Sequence, residues 1–388
     1  MTENFLGRDS RFFKEHHALI TSGEILQQPR LWKALTELMN MQSDAITSFM
    51  EMINAVKGIR IVFTGAGSSA FIGQSMQMIL ANREGLRSDT VPTTDIVSSV
   101  DSVLYDVPTL LVSFSRSGES PESMASLRIA ARKVKQLYNL VVVCKKGSSL
   151  AKYASEQNNT LVLEMPPESS DEGFAMTSSV SCMALGAYSV FNRDFGSRLF
   201  EFIEKLADST QTEIRSMSKL SRDISGFNYD RLIYLGSGGL KGLAQEGAVK
   251  SLELTNGKVN SGYESSMGFR HGPKAVLNDT TLSIHFISTN PVTCKYDIDL
   301  VKELLSEKHR NRLAVIAPEG TVIPSGVDYA FHYAIPNENH SEISAYIKDL
   351  VFLQLLSLEK SIQTGTPTDN PSIGGEVNRI VKGVTIYE

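Results

Sequence analysis

The sequence has few cysteines and no long run of basic residues, and each shortage excludes a class of protein. Only three cysteines occur in 388 residues, and Cys144, Cys182 and Cys294 lie too far apart to indicate a zinc cluster or a disulfide framework. A reducing, cytoplasmic environment is therefore expected. The formal net charge is -5 and basic residues are not clustered, which argues against a nucleic-acid-binding surface.

Long apolar segments are missing as well. No stretch approaches the ~20 uncharged apolar residues that a membrane helix requires, so no membrane partner is expected. Residues 1–13 carry four charged side chains and lack the apolar centre of a signal peptide. With 41% hydrophobic residues, the sequence predicts a globular cytoplasmic protein that buries its own cores.

Two series of short apolar runs are present, and helix-like spacers separate the runs. The first series comprises residues 61–63, 110–114, 140–143 and 160–163, and the second comprises residues 232–235, 282–287, 313–316 and 329–333. This alternation is typical of a parallel sheet with crossover helices. We therefore predict an α/β fold in which one pattern has been used twice.

The two series are related by a nearly constant offset. Residues 61–67 (IVFTGAG) resemble residues 232–238 (LIYLGSG), so that Gly236 follows Gly65 by 171 positions, and Ser288 follows Ser115 by 173 positions. Two related halves are expected. We predict an N-terminal helical segment at 1–40, a first domain at 41–204, a second domain at 205–365 and a C-terminal active-site tail at 366–388.

Two serine-rich loops in the first half suit a phosphate group. Residues 65–69 (GAGSS) come directly before a predicted helix, whose free backbone amides attract an anion. The segment lacks the third glycine and the ribose-binding acid of a dinucleotide site. Residues 115–121 (SRSGESP) supply three hydroxyls, from Ser115, Ser117 and Ser120. Ser120 also fits the role of a helix cap, but capping explains only one of the three serines.

Other signatures of phosphate chemistry are absent from the sequence. There is no Walker lysine motif, which argues against nucleotide hydrolysis. Asp and His do not cluster near the serine loops, so neither a metal nor another cofactor is expected. The phosphate is therefore interpreted as a binding handle, whose binding energy positions the reacting carbons of a larger substrate.

A predicted helix in the second half carries three ionisable residues at helical spacing. Glu246, Lys250 and Glu253 fall at i, i+4 and i+7 and therefore share one face. A common surface ion pair has the same spacing. Against that alternative, the helix follows a strand and a glycine turn, at the sheet edge where α/β proteins bind ligands. The residues expected to face the core are Leu243, Ala248 and Leu252.

Two further residues complete this candidate acid/base site. His271 precedes the helix-breaking pair Gly272 and Pro273, although a loop histidine enclosed by apolar neighbours is an alternative. Lys382 lies near the chain end, where a surface lysine is the alternative. Apolar residues recur around it and indicate a tail docked on the protein: Val377, Ile380, Val381, Val384 and Ile386.

Together these residues resemble the sugar isomerase (SIS) domain family, whose members bind phosphosugars through a Gly-x-Gly-x-Ser turn and a Ser-x-Ser-Gly loop. The second half is similar to the isomerase domain of glucosamine-6-phosphate synthase, and residues 381–385 (VKGVT) resemble its C-terminal lysine tail. The longest matches are with the galactosamine-6-phosphate deaminase/isomerase group, often named tagatose-6-phosphate ketose/aldose isomerase. They are residues 24–29 (EILQQP), 174–179 (FAMTSS), 268–273 (GFRHGP) and 374–379 (GGEVNR).

The resemblance implies two tandem SIS domains, each a parallel sheet flanked by helices in a flavodoxin- or Rossmann-like three-layer sandwich. It also implies a phosphosugar substrate and a homodimer or higher homo-oligomer with shared active sites. His271 would open the sugar ring in its own or a neighbouring subunit, and Glu253 would move a proton between C1 and C2. Lys382 would contact the open-chain carbonyl. The remaining implied roles are orientation by Glu246 and Lys250, phosphate binding by Ser69, Ser115, Ser117 and Ser120, and lining of the same pocket by Thr177.

One difference from the synthase bears on the direction of the reaction. The synthase has an N-terminal glutaminase domain whose first cysteine liberates ammonia, whereas the first cysteine here is Cys144. We therefore expect release of ammonia, with galactosamine-6-phosphate converted to tagatose-6-phosphate, with or without simple ketose/aldose isomerisation. A fructosamine-phosphate deglycase and a non-catalytic phosphosugar-binding regulator are the alternatives. Arg116 and Met176 differ from the synthase pattern and leave the sugar stereochemistry open.

Overall fold

A computed structural model describes residues 4–307, 311–381 and 383–387. Within them the chain forms two compact units. The first-sheet unit contains residues 30–171, 176–204 and the described part of 375–387. The second-sheet unit contains residues 4–29, 172–175, 205–307 and 311–374. Among the described residues, no helix is both long and apolar enough to cross a membrane.

The described strands are mostly short, buried and rich in β-branched residues. In chain order they are β1 Asn4–Phe5, β2 Arg8–Asp9, β3 Arg60–Thr64, β4 Ser88–Thr90, β5 Thr109–Ser115, β6 Leu137–Val143, β7 Thr160–Glu164, β8 Arg231–Gly236, β9 Asn260–Glu264, β10 Thr281–Phe286, β11 Arg312–Pro318 and β12 Tyr329–Tyr333. Strands β1 and β2 form a small antiparallel pair.

Helices connect the strands and cover the sheets. They are α1 Ser10–Glu15, α2 Leu19–Met41, α3 Ser43–Asn54, α4 Ser68–Glu84, α5 Thr93–Ser98, α6 Val100–Val103, α7 Pro121–Lys133, α8 Ser149–Ser155, α9 Ser178–Phe191, α10 Ser197–Ser225, α11 Gly239–Leu254, α12 Ser266–Phe269, α13 Pro291–Ser306 and α14 Ser341–Gln363. Short 3-10 turns occupy Pro167–Ser169, Pro273–Val276 and Glu338–His340.

The other described strands form two five-stranded sheets with the same topology. The orders are β4-β3-β5-β6-β7 and β12-β11-β10-β8-β9, and every neighbouring pair is parallel. The predicted α/β fold, used twice, is confirmed. Counted from the first strand of each sheet, the order is 2-1-3-4-5. Its switch point lies between the first and third strands, where such folds bind ligands at the carboxyl ends.

Equivalent core residues of the two halves pack in the same way. The rings of Phe63 and Phe114 stack with centroids 6.2 Å apart. Tyr234 and Phe286 stand at the corresponding places of the second sheet, with ring centroids 5.9 Å apart. All four side chains are buried. The repeat inferred from sequence offsets therefore extends to the packing of the core, where each aromatic pair spans the first and third strands.

The glycine turns after β3 and β8 also share one backbone conformation. Gly67 has φ 56 and ψ -131, and Gly238 has φ 60 and ψ -129, values that glycine adopts without the strain of a side chain. Two residues earlier, a Cβ on Gly65 would lie 2.7 Å from the backbone of Ser69, and one on Gly236 would lie 2.5 Å from the carbonyl of Leu240. Each helix can start this close to its strand because no side chain intervenes.

Replacing Gly65 by alanine should therefore destabilise the fold by about 1–3 kcal/mol, since overpacking against backbone cannot be relieved by a side-chain rotation. Gly23, in the second turn of α2, is the matched control, because its added Cβ would come no closer than 3.7 Å to Phe5. There alanine should stabilise the protein by up to about 1 kcal/mol through helix propensity. Urea unfolding of the two variants should show opposite signs, and equal effects would contradict this account.

Candidate active site

The two predicted phosphate loops meet the first sheet at its switch point. Strands β3 and β5 are parallel neighbours, with Thr64 paired to Ser113. The loop at 65–69 leaves the carboxyl end of β3, and the loop at 115–120 leaves the carboxyl end of β5. Both loops then enter helices of 13 residues or more, α4 and α7. Hydroxyls and helix N-termini thus come together where an anion is attracted.

Backbone hydrogen bonds shape the second of these loops. The amides of Gly118 and Glu119 donate to the Oγ atoms of Ser115 and Ser117, at 3.0 and 3.2 Å. A hydroxyl that accepts in this way retains its proton for donation to a ligand. Ser120 caps α7 by accepting from the amide of Ser123, as predicted, and Pro121 occupies the first turn. Ser69 is buried at the start of α4.

The loop also depends on Gly118, which has φ +61. A Cβ at this position would lie 2.2 Å from Oγ of Ser148. Arg116, between the first two serines, is 7% exposed. One of its Nη atoms donates to the carbonyl of Arg379 at 2.6 Å. The phosphate loop is therefore tightly packed on one side and contacts the C-terminal tail on another.

A buried carboxylate that the sequence interpretation missed holds the start of α9. Asp171 accepts hydrogen bonds from the amides of Thr177, Ser178 and Ser179, at 2.7 to 3.0 Å. It also accepts from the hydroxyls of Thr177 and Ser179, at 2.9 and 2.5 Å. Thr177 is fully buried and its hydroxyl proton is directed at Asp171. No local capping pattern reveals this contact, because Asp171 lies six residues before the cap.

The three ionisable residues of α11 lie together. The Nζ atom of Lys250 is 3.2 Å from Oε1 of Glu246 and 3.3 Å from Oε2 of Glu253. Lys250 and Glu246 are buried, whereas the Glu253 side chain is 29% exposed. A surface ion pair, the alternative left by the sequence, is therefore wrong. Of the residues expected to face the core, Leu243 and Ala248 do so, but Leu252 is 44% exposed.

The charge of Lys250 is fixed by its two neighbours. Burial alone lowers the pKa of a lysine, because it removes water from the ammonium group. The carboxylates of Glu246 and Glu253 outweigh that effect and raise the pKa of Lys250 above its usual value. Lys250 is therefore protonated at neutral pH and is not a nucleophile. Its ammonium group can instead neutralise and orient the two carboxylates.

His271 lies on the turn after α12, in the same unit as α11. The residues on both sides of it are tied to α13, since Arg270 and Lys274 contact Glu303 at 2.7 and 2.6 Å. His271 and Pro273 are exposed, so the alternative of a histidine enclosed by apolar neighbours is wrong. Gly272, with φ +126, permits the chain reversal that leaves the imidazole at the surface.

Lys382 lies outside the described residues. Of the five apolar residues that were expected to dock the tail around it, Ile380 and Ile386 are partly buried, but the three valines are exposed. Val377 and Val381 are 54% and 52% exposed, and Val384 is 37% exposed. Arg379 instead holds the tail through polar contacts: its guanidinium group donates to the carbonyl of Asp171. The pattern of valines was misleading because a repeating apolar sequence does not specify a partner surface.

The second sheet has a different arrangement at its own switch point. There the buried carboxylate of Asp297 accepts from the hydroxyls of Ser237 and Ser266, at 2.6 Å each. It also accepts from the amide of Ser288 at 3.1 Å. Burial raises the pKa of Asp297, although these hydrogen bonds oppose the rise. The carboxyl group of Asp297 thus occupies the place that corresponds to the serine loops of the first sheet.

A metal site would need several ligating side chains close together in the part of the chain that the structure describes. It contains no group of three or more His, Cys, Asp and Glu residues close enough to hold a metal ion. The chemistry available to the described residues is therefore that of carboxylates, an ammonium group, an imidazole and hydroxyls. Such groups bind anions and transfer protons.

This chain is similar in sequence to several known proteins. A family model described as SIS domain matches residues 54–191. A D-galactosamine-6-phosphate deaminase AgaS from Escherichia coli is 38% identical over 373 residues, which cover 95% of this chain and 95% of that protein. A relative of the same name from Shewanella sp. strain ANA-3 is 34% identical, over 96% of this chain and 93% of that protein.

Solved structures give a consistent result. A candidate tagatose-6-phosphate ketose/aldose isomerase from Clostridium novyi NT matches with a TM-score of 0.95, 36% identity and complete coverage of both chains. Tagatose-6-phosphate ketose/aldose isomerase from Escherichia coli matches with a TM-score of 0.86 and 34% identity, over 95% of this chain and 96% of that chain. The C-terminal domain of glucosamine-fructose-6-phosphate aminotransferase from Francisella tularensis shares the fold, with a TM-score of 0.73 at 17% identity, over 91% and 98% of the chains.

Replacing Lys250 by methionine should destabilise the protein by about 3–5 kcal/mol, because it leaves the buried Glu246 carboxylate without its cation. Lys219 provides a matched control, since it forms an exposed pair with Asp223 at the same i,i+4 spacing. Methionine there should change stability by less than about 0.5 kcal/mol. Guanidinium unfolding at pH 7 measures both effects, and a small change for Lys250→Met would disprove the importance of the buried pair.

Proposed function

This chain belongs to the SIS domain family, in the group of the D-galactosamine-6-phosphate deaminases AgaS, and we propose that it converts galactosamine-6-phosphate and water to tagatose-6-phosphate and ammonia. The observation that carries the proposal is the α11 site, in which a half-exposed carboxylate adjoins a buried, protonated lysine. Similarity to the deaminases over 95% of the chain narrows the substrate to an amino-sugar phosphate.

The proposed reaction needs one proton transfer between adjacent carbons. After ring opening, the substrate has an aldehyde at C1 and an amine at C2. A base removes the C2 proton while the carbonyl oxygen takes up a proton, which gives an enolamine. The C2 proton is then returned to C1 as the nitrogen loses a proton. The resulting C2 imine then takes up water and loses ammonia, leaving the C2 ketone. One carboxylate can serve as base and then as acid.

Glu253 is the residue we assign to this proton transfer. Its side chain is partly exposed, so a ligand can reach it, and Lys250 holds one of its oxygens at 3.3 Å. Glu246 is buried against the same ammonium group and is assigned an orienting role together with Lys250. Because Lys250 remains protonated, contact with the substrate carbonyl, as an imine or a hydrogen bond, is assigned to Lys382.

The serine loops of the first-sheet unit are assigned to the 6-phosphate. Ser115 and Ser117 each accept a backbone hydrogen bond and can donate their own protons to phosphate oxygens. Ser69 and Ser120 stand at the starts of α4 and α7, where amides and the helix dipole favour an anion. Thr177 lines the same pocket in this proposal.

Ring opening is assigned to His271, whose exposed imidazole can exchange protons with sugar oxygens. Because the side chain is exposed in a single chain, it can reach the active site of a neighbouring subunit. We therefore propose a homodimer or higher homo-oligomer. The proposal further assigns the enzyme to the cytoplasm and requires no cofactor, because every step uses groups of the chain or water.

A ketose/aldose isomerase without nitrogen chemistry is the second candidate, and the similarity to the Escherichia coli isomerase structure favours it. The two activities share the base and the C1–C2 proton transfer, and they differ in whether the substrate carries an amine. A deglycase acting on fructosamine phosphates would use the same imine chemistry. A regulator that only binds phosphosugars would have no use for the ion-paired Glu253.

Replacing Glu253 by glutamine should lower ammonia release from galactosamine-6-phosphate by about 100-fold or more, because general-base catalysis contributes roughly this much. The assay should include glucosamine-6-phosphate and the nitrogen-free interconversion of tagatose-6-phosphate. Glu37→Gln, an exposed acid on α2, is the matched control and should retain full activity. Turnover that survives in Glu253→Gln would remove this residue from the mechanism, and binding without turnover in the wild type would favour the regulator.

Replacing Ser117 by alanine should lower kcat/KM for galactosamine-6-phosphate roughly tenfold or more, because a hydrogen bond to a charged group is worth about 1.5–3 kcal/mol. Galactosamine, which lacks the phosphate, is the internal control. Its much lower kcat/KM should be the same in the variant and the wild type. An equal loss with both sugars would show that Ser117 supports the loop fold and not the phosphate.

A further inference from the structure

Glu303, on α13, contacts both ends of the turn that carries His271. Its Oε2 atom accepts a hydrogen bond from Nε of Arg270 at 2.7 Å, and its Oε1 atom accepts one from Nζ of Lys274 at 2.6 Å. One carboxylate thus contacts the residue before His271 and the residue three positions after it. We call these two contacts the Glu303 bridge.

Further polar contacts join the same segment to α13. Ser266, the first residue of α12, donates its hydroxyl proton to Asp297 at 2.6 Å, six residues before Glu303 on the helix. Lys274 has a second ion pair, with Glu307 at the end of α13. Because an α-helix rises by ~1.5 Å per residue, these contacts extend over ~15 Å. The segment therefore lies along the helix.

Apolar side chains hold the segment on either side of the turn. Phe269 is fully buried and Leu277 is 9% exposed, and both belong to the core cluster that contains Leu300 and Leu304 of α13. Between them, residues 271–273 are exposed, so the apolar core does not reach the turn. The Glu303 bridge spans this exposed part of the segment.

The charges of the bridge persist at neutral pH. A hydrogen bond from Lys274, with a smaller effect from Arg270, lowers the pKa of Glu303. Hydrogen bonds to Glu303 and Glu307 raise the pKa of Lys274. The side chains of Arg270, Lys274 and Glu303 are 24%, 27% and 32% exposed, and ion pairs this exposed add little to global stability. The bridge can therefore restrict the turn without deciding whether the protein folds.

We propose that Glu303 is a positioning residue, and that the Glu303 bridge holds the turn at 271–273 so that the His271 imidazole is presented to the sugar ring in a fixed position. This inference rests on the proposed function, because it assumes that His271 opens the ring. Holding a reacting group in one place is worth large factors in rate. Glu303 makes no contact with the reacting atoms in this proposal.

The first test compares Glu303→Ala with the wild type in ammonia release from galactosamine-6-phosphate. The kcat value should fall by about 10- to 100-fold, because a misplaced reacting group costs this much. KM should change by less than about threefold, since the serine loops remain. Glu303→Asp keeps the charge and should recover part of kcat. Asp299→Ala removes an exposed acid of the same helix that pairs with Lys302 at 3.6 Å, and this matched control should equal the wild type.

A double-mutant cycle separates positioning from a general structural role. In a His271→Ala background, Glu303→Ala should lower the remaining kcat by less than about twofold, because no imidazole is left to position. A structural defect would instead lower kcat by the same factor in both backgrounds. The His271→Ala variant must itself have a reduced kcat, and full activity in it would overturn the inference.

A second readout does not depend on activity. The amides of His271 and Ala275 donate to the carbonyls of Gly268 and Gly272, at 3.0 Å each, so their hydrogen exchange reports opening of the turn. In Glu303→Ala their exchange should become about fivefold faster or more, while exchange in α11 and the thermal unfolding midpoint stay near wild-type values. Asp299→Ala should leave the exchange of the turn unchanged.

The outcomes separate the bridge from the proposed function. Unchanged exchange of the turn in Glu303→Ala would overturn the bridge, whatever the activity. Faster exchange with an unchanged kcat, or faster exchange throughout the second-sheet unit, would overturn the positioning role. A wild type that releases no ammonia and isomerises no sugar phosphate would disprove the proposed function and with it the positioning role, and the exchange measurement would still decide whether Glu303 holds the turn. Faster exchange of the turn together with a loss of kcat that requires His271 supports the whole inference.

Discussion

The loops of this protein depend on one interaction, the hydrogen bond from a backbone amide to a buried carboxylate. Asp171 binds three amides at the start of α9. Glu24 holds the segment that directly follows Asp171 in the same way. It accepts hydrogen bonds from the amides of Glu172 and Gly173, at 2.5 and 3.0 Å. Gly173 has no room for a side chain, because a Cβ would lie 2.9 Å from Glu24. The family motifs that contain Glu24 and Thr177 therefore each take part in a hydrogen bond between a buried carboxylate and backbone amides.

The same interaction distinguishes the two halves of the repeat. Both sheets have one topology and one glycine-turn geometry, so an anion would be attracted to either switch point. In the second half, the carboxyl group of Asp297 lies at this point and is held by Ser237, Ser266 and Ser288. In the first half, the corresponding loops present hydroxyls. Two sheets of one topology therefore differ at the switch point, where one has serine hydroxyls and the other has a hydrogen-bonded carboxyl group.

The features that could be predicted from the sequence are those that depend on residues close together in the chain. Apolar runs predicted eight strands and the repeat. The six central strands are continuously apolar because they are covered on both faces, and the edge strands β7 and β12 also carry apolar runs. The edge strands β4 and β9 were missed, since they are short, polar and partly exposed. The family was predicted correctly from motifs. The helix spacing of Glu246, Lys250 and Glu253 was visible, whereas the burial of Lys250 was not.

The remaining features were not predicted because they depend on contacts between residues that are far apart in the sequence. Asp171, Asp297 and Arg379 act through partners that no local pattern indicates. Arg379 meets Asp171 across 208 residues, and Asp297 meets Ser237 across 60. The apolar residues of the tail were interpreted as a docking surface because periodicity suggests burial. In the structure the valines of the tail are exposed, and the guanidinium group of Arg379 donates to the backbone carbonyl of Asp171.

The α11 site shows how a buried lysine can keep its charge. Moving an ammonium group out of water costs several kcal/mol, and one carboxylate in a buried pair often fails to offset this cost. Lys250 has two carboxylates, which raise its pKa and leave the triad with a net negative charge. Glu246 is enclosed with the ammonium group, whereas Glu253 retains contact with solvent. Of the two carboxylates, Glu253 is therefore the one that solvent or a ligand can reach.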